Sequence, residues 1–142
     1  MDYRRFGNQI VLRVDRGEEV MASITELCEK ENILLGSISG LGAADHLVMG
    51  LYDVVKQEFN ETRLDIPLEI SSIIGSITEM NGKPYLHVHI TAADSKGQAY
   101  GGHLKEVRIS GTAEIVITVI DGHVGREKDS ITNTGLNLYK FD

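Results

Sequence analysis

Three of the chain's five histidines lie in one short stretch, between residues 85 and 104. His87 and His89 flank Val88 in a run that predicts a β-strand. Because strand side chains alternate between faces and each residue rises about 3.3 Å, the two histidines project from one face, about 7 Å apart. Two imidazoles at that spacing can bind one metal ion, whose bonds to nitrogen are about 2.0 to 2.1 Å long.

A third histidine follows a predicted turn. The segment Asp94–Gly97 has the aspartate and glycine typical of a turn, so we expect the chain to reverse there and to carry His103 back toward the pair. Three neutral nitrogen ligands without a thiolate leave a further position open to water or a substrate oxygen. The pattern therefore predicts a divalent-metal site formed by His87, His89 and His103. Zinc is the first candidate, and nickel, iron, cobalt and manganese are admissible.

A plainer interpretation of these residues stays open. The three histidines are then polar side chains on a solvated strand face, hydrogen-bonded to neighbours and binding no ion. The other two histidines do not share the pattern, because His46 follows a glycine-rich bend and His123 lies in a polar turn. We expect both of these side chains at the protein surface.

The same stretch imitates the first metal-binding motif of the cupin barrel, which is the second candidate. Gly82, Asp94 and Gly101 stand near the positions that surround the His-x-His pair of that motif. The match is incomplete, since aspartate stands where a glutamate ligand is usual and no proline follows Pro84 to begin the second motif. The alternative function is therefore a metal-dependent enzyme, cupin-like or a hydrolase or lyase, acting on a small molecule at an open site.

Two other patterns do not indicate a function. The segment Gly40–Asp45 follows a predicted strand, as a dinucleotide-binding loop does, but it lacks the third glycine and strand-like sequence follows it. The chain contains no Gly-x-Ser-x-Gly turn, so a serine hydrolase is not indicated. Catalytic residues are left unassigned.

The remaining patterns predict the elements that hold the histidine strand. Asp15 and Glu18 have capping-box spacing, and we expect a helix from about Glu18 to Glu31, ending before Asn32. The other apolar segments are strand-like, at 10–14, 34–39, 46–53, 68–78, 85–91 and 113–120. This order predicts an α+β fold, with a small, strongly curved, mostly antiparallel sheet packed against one main helix. One helix covers only one face of such a sheet, which favours a symmetric oligomer.

Length and charge limit the classes of protein. The 142 residues suit a single domain, 1–142. The net charge of -7 disfavours binding to the phosphates of DNA. No segment approaches the ~20 apolar residues that span a bilayer, and no secretory signal is seen, so we expect a cytoplasmic location without a membrane partner. The single cysteine, Cys28, falls on the apolar face of the predicted helix and is expected in the core.

Taken together, the order of segments resembles the plant-and-prokaryote-conserved (PPC) domain over nearly the whole chain. The matching features are the opening strand and helix, Ser39–Ala43 leading to Leu51–Asp53, the His87-x-His89 strand, Gly101–Leu104 and the strand that begins at Gly111–Glu114. The resemblance implies a homotrimer, with the three histidines clustered near a subunit boundary and able to hold a metal.

The resemblance also raises the question of DNA. Plant members of the family join this domain to AT-hooks that bind the minor groove, and prokaryotic members are often described as DNA-binding on that basis. This sequence contains no AT-hook, and DNA stays a possible partner through the resemblance alone. We therefore predict a stand-alone, metal-binding homotrimer, DNA-associated or regulatory only by family resemblance.

Overall fold

The computed structural model describes residues 1–141 and confirms the α+β class. Its elements are β1 (Asp2–Phe6), β2 (Gln9–Asp15), α1 (Val20–Glu31), β3 (Gly36–Asp53), β4 (Glu58–Leu64), β5 (Leu68–Met80), β6 (Lys83–Ala93), β7 (Ala99–Val119), β8 (Gly125–Lys128) and β9 (Asn137–Lys140). Within residues 1–141, no helix is long and apolar enough to cross a membrane.

Seven antiparallel strands form the main sheet, in the order β1-β2-β7-β6-β5-β3-β4, and β7 also pairs with β3. Since β3, β5, β6 and β7 each pair with the next and β7 returns to β3, the sheet curls back on itself. The curvature agrees with the strongly curved sheet predicted from the sequence. The predicted segments 34–39 and 46–53 merge into one strand, β3, which begins at Gly36 and shifts register between Gly40 and Gly42 instead of breaking at a bend.

The helix begins at Val20, two residues later than expected. Glu19 is the N-cap, and its carboxylate accepts hydrogen bonds from the amides of Met21 (2.9 Å) and Ala22 (2.7 Å). The same carboxylate accepts from the amide of Val107 on β7, at 3.0 Å. Glu19 therefore ties the start of α1 to the longest strand of the sheet. Asn32, with a left-handed φ of 54°, ends the helix where the sequence predicts.

The apolar face of α1 covers one side of the sheet. Cys28 is fully buried there with Ile24 and Leu27, as expected, and burial raises the pKa of its thiol to about 12. Strand residues of the inner face complete the core, among them Ile10 and Ile115. The opposite face of the sheet is left with exposed apolar side chains.

A second, two-stranded sheet follows the main one. β8 and β9 pair from Gly125 with Lys140 to Lys128 with Asn137. Asp129 holds the connection, because its carboxylate accepts hydrogen bonds from the amides of residues 131, 132 and 134 and from two threonine hydroxyls. These bonds, those from Thr132 first, hold the pKa of Asp129 well below its usual range. The loop is thereby shaped around one ionised carboxylate.

The N-cap of α1 gives the first testable prediction. Replacing Glu19 by Ala removes the acceptor of three backbone amides, and we expect the free energy of unfolding to fall by about 1–2 kcal/mol. Glu29→Ala is the matched control, since Glu29 is an exposed residue of the same helix, and a change of only about 0.5 kcal/mol is expected. Urea unfolding of both variants measures the difference, and equal stabilities would contradict the role given to Glu19.

Candidate metal centre

The three predicted histidines meet on the open face of the sheet. His87 and His89 lie on β6, and His103 lies on β7 directly opposite His89. Directly opposed residues of an antiparallel pair share a face, so His103 joins the face that the alternation of β6 gives to His87 and His89. The structure thus brings together all three residues of the predicted site.

The turn between β6 and β7 sets this register. Asp94 Oδ1 accepts hydrogen bonds from the amides of Lys96 (2.8 Å) and Gln98 (3.0 Å), and Gly97 adopts a φ of +77°. The predicted reversal is therefore present. The carboxylate of Asp94 is bonded within the turn. It does not join the histidine cluster, in contrast to the acidic ligand of the cupin motif.

The imidazoles form a nearly equilateral triangle. Their ring centroids are 5.2 Å apart for His87–His89 and for His87–His103, and 5.5 Å apart for His89–His103. One nitrogen from each ring lies within 4.8 Å of the other two. A tetrahedral ion with bonds of about 2.05 Å separates its ligands by about 3.3 Å, so small side-chain rotations would close the triangle around a metal. The donor set fits a divalent ion.

Two close backbone approaches hold the strands under the histidines. A Cβ on Gly102 would lie 2.7 Å from the carbonyl oxygen of Gly50, the residue that pairs with His103. A Cβ on Gly75 would lie 2.6 Å from the carbonyl oxygen of His87. Only a residue without a side chain permits these contacts, so both glycines set the positions of the strands that carry the histidines.

The surroundings favour neutral imidazoles. Burial first, and then the neighbouring histidines, lowers the pKa of His87 and of His103. Of the residues described, none donates a hydrogen bond to, or accepts one from, any of the three rings. The rings face one another and not polar neighbours, which differs from the plainer interpretation of hydrogen-bonded surface residues.

A cleft of about 760 Å³ opens beside the triangle. Leu51 and Phe59 from β3 and β4 line one side, and Leu138 and Tyr139 from β9 line another. The Phe59 ring meets His103 edge-on, with centroids 5.8 Å apart. The histidines therefore form part of the wall of a largely apolar cleft, large enough for a small molecule.

The prediction that His46 is a surface residue is wrong. Its side chain is buried, with 8% of the residue exposed, and its two ring nitrogens face Asp65 and Glu106. His46 lies on the continuous strand β3 rather than beyond a bend, which turns it inward. His123 is exposed, as expected, and its Nε2 lies 3.0 Å from a carboxylate oxygen of Glu79.

Arg126 is a residue of the cleft that sequence patterns miss. It lies on β8, and its guanidinium stacks between the rings of Tyr85 and Tyr139, 4.7 Å and 4.4 Å from their centroids. An isolated arginine in a short polar strand carries no local signal that marks it as a cleft residue.

Fold and site together define an α+β domain whose curled antiparallel sheet presents a three-histidine cluster on its open face. The chain belongs to the Plants and Prokaryotes Conserved (PCC) domain family, whose model matches residues 1–121. The resemblance found in the sequence is thus confirmed, and the cupin barrel has no support as the fold. The hairpin of β8 and β9 lies beyond the matched residues.

Three solved structures show the same fold over 99% of this chain. A Bacteroides thetaiotaomicron protein, described as a "putative dna binding protein", has a TM-score of 0.94, 29% identity and 96% coverage of its own chain. A metal-containing protein from Archaeoglobus fulgidus has a TM-score of 0.86, 30% identity and 99% coverage of its chain. A plant- and prokaryote-conserved (PPC) protein from Pyrococcus horikoshii has a TM-score of 0.84, 28% identity and 94% coverage of its chain.

One curated relative is much longer than this chain. Bifunctional protein GlmU from Synechococcus sp. (strain JA-2-3B'a(2-13)) is 30% identical over 108 residues, which are 75% of this chain. The chain spans only 16% of the length of that protein. The similarity therefore concerns one segment of a larger polypeptide.

The close approach at Gly102 gives the second prediction. Gly102→Ala places a methyl group against the backbone of Gly50, and we expect it to lower the free energy of unfolding by about 1–3 kcal/mol through overpacking. Gly111→Ala, on the same strand, is the control, because its Cβ would meet only the Cβ of Ala43, at 3.7 Å. Chemical unfolding compares the two. A Gly102→Ala protein as stable as the Gly111→Ala protein would show that this contact does not constrain the strands.

Proposed function

We propose that this chain is a metal-binding module that holds one divalent ion, zinc first, through His87, His89 and His103. The observation that carries the proposal is the triangle of three imidazoles on adjacent strands, facing one another without hydrogen-bonding neighbours among the residues described. The register of β6 and β7 brings the three residues to one face, and their ring nitrogens lie close enough together to share one ion. The description of the Archaeoglobus fulgidus relative as metal-containing supports it.

A second candidate is a metal-dependent enzyme acting on a small molecule. The cleft beside the triangle favours it, because a ligand bound there would lie next to the ion. A zinc ion held by three neutral nitrogens would act as a Lewis acid and would lower the pKa of a water in an open position to about 7. Within residues 1–141 no carboxylate lines the cleft, so a carboxylate acting as acid or base would come from elsewhere.

We further propose that the module is a homotrimer that packs through the open face of the sheet. Val11 and Val116 are paired on that face and are 48% and 37% exposed. Across Ser39 on β3, Ile74 is 58% exposed and extends this row to His89, with which it pairs. Burying such a row in a symmetric interface would remove it from water and would place the cluster near a subunit boundary.

A DNA-associated or regulatory role ranks behind metal binding. The Bacteroides thetaiotaomicron relative is described as a "putative dna binding protein", which keeps DNA as a possible partner. The net charge of -7 opposes binding to phosphates. A single domain over residues 1–142 and a cytoplasmic location stay predictions from the sequence.

The third prediction tests the metal site. The purified, untagged protein should bind about one zinc ion per chain, and His87→Ala, His89→Ala or His103→Ala should each weaken zinc binding by at least about 100-fold, since each removes a ligand of a three-ligand site. Elemental analysis and competition with a chromogenic chelator measure content and affinity. His123→Ala is the control, an exposed histidine outside the cluster that should leave binding unchanged.

The pH dependence of zinc affinity is an independent test of the same site. Since imidazole must be neutral to bind a metal, affinity should be full near pH 7.5 and should fall below about pH 6.5. The lowered pKa values of His87 and His103 shift this loss toward the acidic side. Unchanged zinc content in all three alanine variants, or affinity that does not vary between about pH 5 and 7, would rule out these ligands.

The fourth prediction concerns assembly. Light scattering at micromolar concentration should give about three times the chain mass of 15.6 kDa. Val116→Glu introduces a charge in the middle of the apolar row and should shift the mass toward that of one chain. Arg16→Glu, a charge change at an exposed turn residue, is the control and should leave the mass unchanged. A wild-type mass of one chain would contradict any assembly through this face. A mass of two chains would contradict the proposed number of subunits.

A further inference from the structure

The cleft beside the histidines differs in charge from the rest of the chain. The sequence carries 21 acidic residues and a net charge of -7. No aspartate or glutamate of residues 1–141 lines the cleft, whereas Arg126 does. With neutral histidines, this arginine supplies the only full charge in the described wall. A solute entering the cleft therefore meets a positive site in a mostly apolar surface, which attracts anions.

Arg126 is held in one position by four neighbours. Its Nε donates a hydrogen bond to the hydroxyl of Thr78 at 2.9 Å, and its Nη1 donates to the carbonyl oxygen of Asn137 at 2.8 Å. Its Cζ lies over the rings of Tyr85 and Tyr139, 4.7 Å and 4.4 Å from their centroids. A guanidinium stacked between aromatic rings and bonded through two nitrogens has little freedom left, so it is pre-organised for a further partner.

The third nitrogen of this guanidinium lacks such a partner. Nη2 of Arg126 is buried and makes no hydrogen bond within the described chain. No carboxylate of residues 1–141 forms an ion pair with it either. Because arginine stays protonated, a buried donor on its charged group is costly to leave unpaired. Nη2 itself is not exposed to the cleft, so an acceptor bound there reaches it when an exposed lining side chain such as Tyr139 moves aside.

Arg126 contacts the strand that carries two of the three histidines. Tyr85, on which it stacks, and His87 are alternate residues of β6, so they share a face about 7 Å apart. Their partners on β5 are Thr78 and Ser76. The positive charge of Arg126 adds to the burial and the neighbouring imidazoles that lower the pKa of His87. The guanidinium of Arg126 and the three-histidine cluster are therefore neighbours in one cleft.

We infer that the cleft binds a small organic anion, whose carboxylate or phosphate accepts hydrogen bonds from Arg126 and whose other polar end reaches the ion at the three histidines. Charge-assisted bonds of this kind are among the strongest in proteins. Arg126 contacts Tyr85, which lies two residues before His87 and about 7 Å from it along β6, so a short molecule suits this arrangement. Leu51 and Leu138 offer apolar contacts to its middle. The contact with the ion rests on the proposed function, whereas the contact with Arg126 does not.

Calorimetric titration of the zinc-loaded and metal-free protein tests the inference. Glutarate and inorganic phosphate are the probes, and dimethyl glutarate is the uncharged control. We expect at least one anion to bind the wild-type protein, and Arg126→Gln to weaken it by about 10- to 100-fold, the effect of removing a hydrogen bond to a charged group. Arg16→Gln, at an exposed turn, is the matched control and should change nothing. Dimethyl glutarate should not bind.

Arg126→Lys keeps the inference testable if Arg126→Gln does not fold. This variant retains the positive charge but not the planar fork, and anion binding should still fall, because lysine cannot reproduce the bonds that orient the guanidinium. The relative strength of glutarate and phosphate identifies which oxyanion the cleft prefers, and either preference supports the inference.

Metal and anion binding can fail separately. Zinc content should be unchanged in Arg126→Gln, because the three ligands are elsewhere. If the wild-type protein binds an anion but no zinc, and Arg126→Gln loses the anion, the metal proposal is wrong and the anion site remains supported. Zinc binding without anion binding, or with equal anion affinity in Arg126→Gln, would overturn the anion site. A change of solution mass in Arg126→Gln, with no anion bound by the wild-type protein, would show that a second copy pairs with this arginine, which also overturns it.

Discussion

The pairing of β7 with three other strands is the constraint on which the site depends. β3 pairs with it from His103 to Val119, β2 pairs with residues 112–118, and β6 pairs with residues 99–103, where His103 meets His89. A slip of one residue between β6 and β7 would move every side chain of one strand to the other face, and the triangle would be lost. The turn built around Asp94 and the close approach at Gly102 both act against that slip.

Where side chains are buried on one face, the fold could be predicted from the sequence. α1 and the central strands have apolar residues at the helical or the alternating spacing, and this spacing follows directly from which face meets the core. The strands that sequence patterns miss, β1, β4, β8 and β9, are mostly exposed and polar. They form because an edge of the sheet or a partner strand offers backbone hydrogen bonds, and a local sequence window does not contain that information.

The residues of the site also fall into those that local sequence predicts and those that it does not. His87 and His89 are related by strand alternation, and His103 is related to them by a turn of recognisable composition, so local chemistry is enough to predict the cluster. His46 and Arg126 are different, because their partners are distant in the chain. The side chain of Glu106 reaches His46 only after β3 and β7 pair, and Arg126 reaches the cleft only after a second sheet folds over β5. Contacts of this kind require the tertiary structure.

The two sheets contribute different parts of the cleft, and this separation bears on how such a protein can diverge. The histidines belong to the main sheet, whose register is fixed by continuous backbone pairing. The β8–β9 hairpin is attached through a few bonds, such as the one from Tyr52 to the carbonyl oxygen of Thr134 at 3.0 Å. Its side chains can therefore change in size or charge without disturbing the strands that align the imidazoles. One histidine-bearing sheet can in this way present differently shaped and charged clefts in related proteins through substitutions in the hairpin alone.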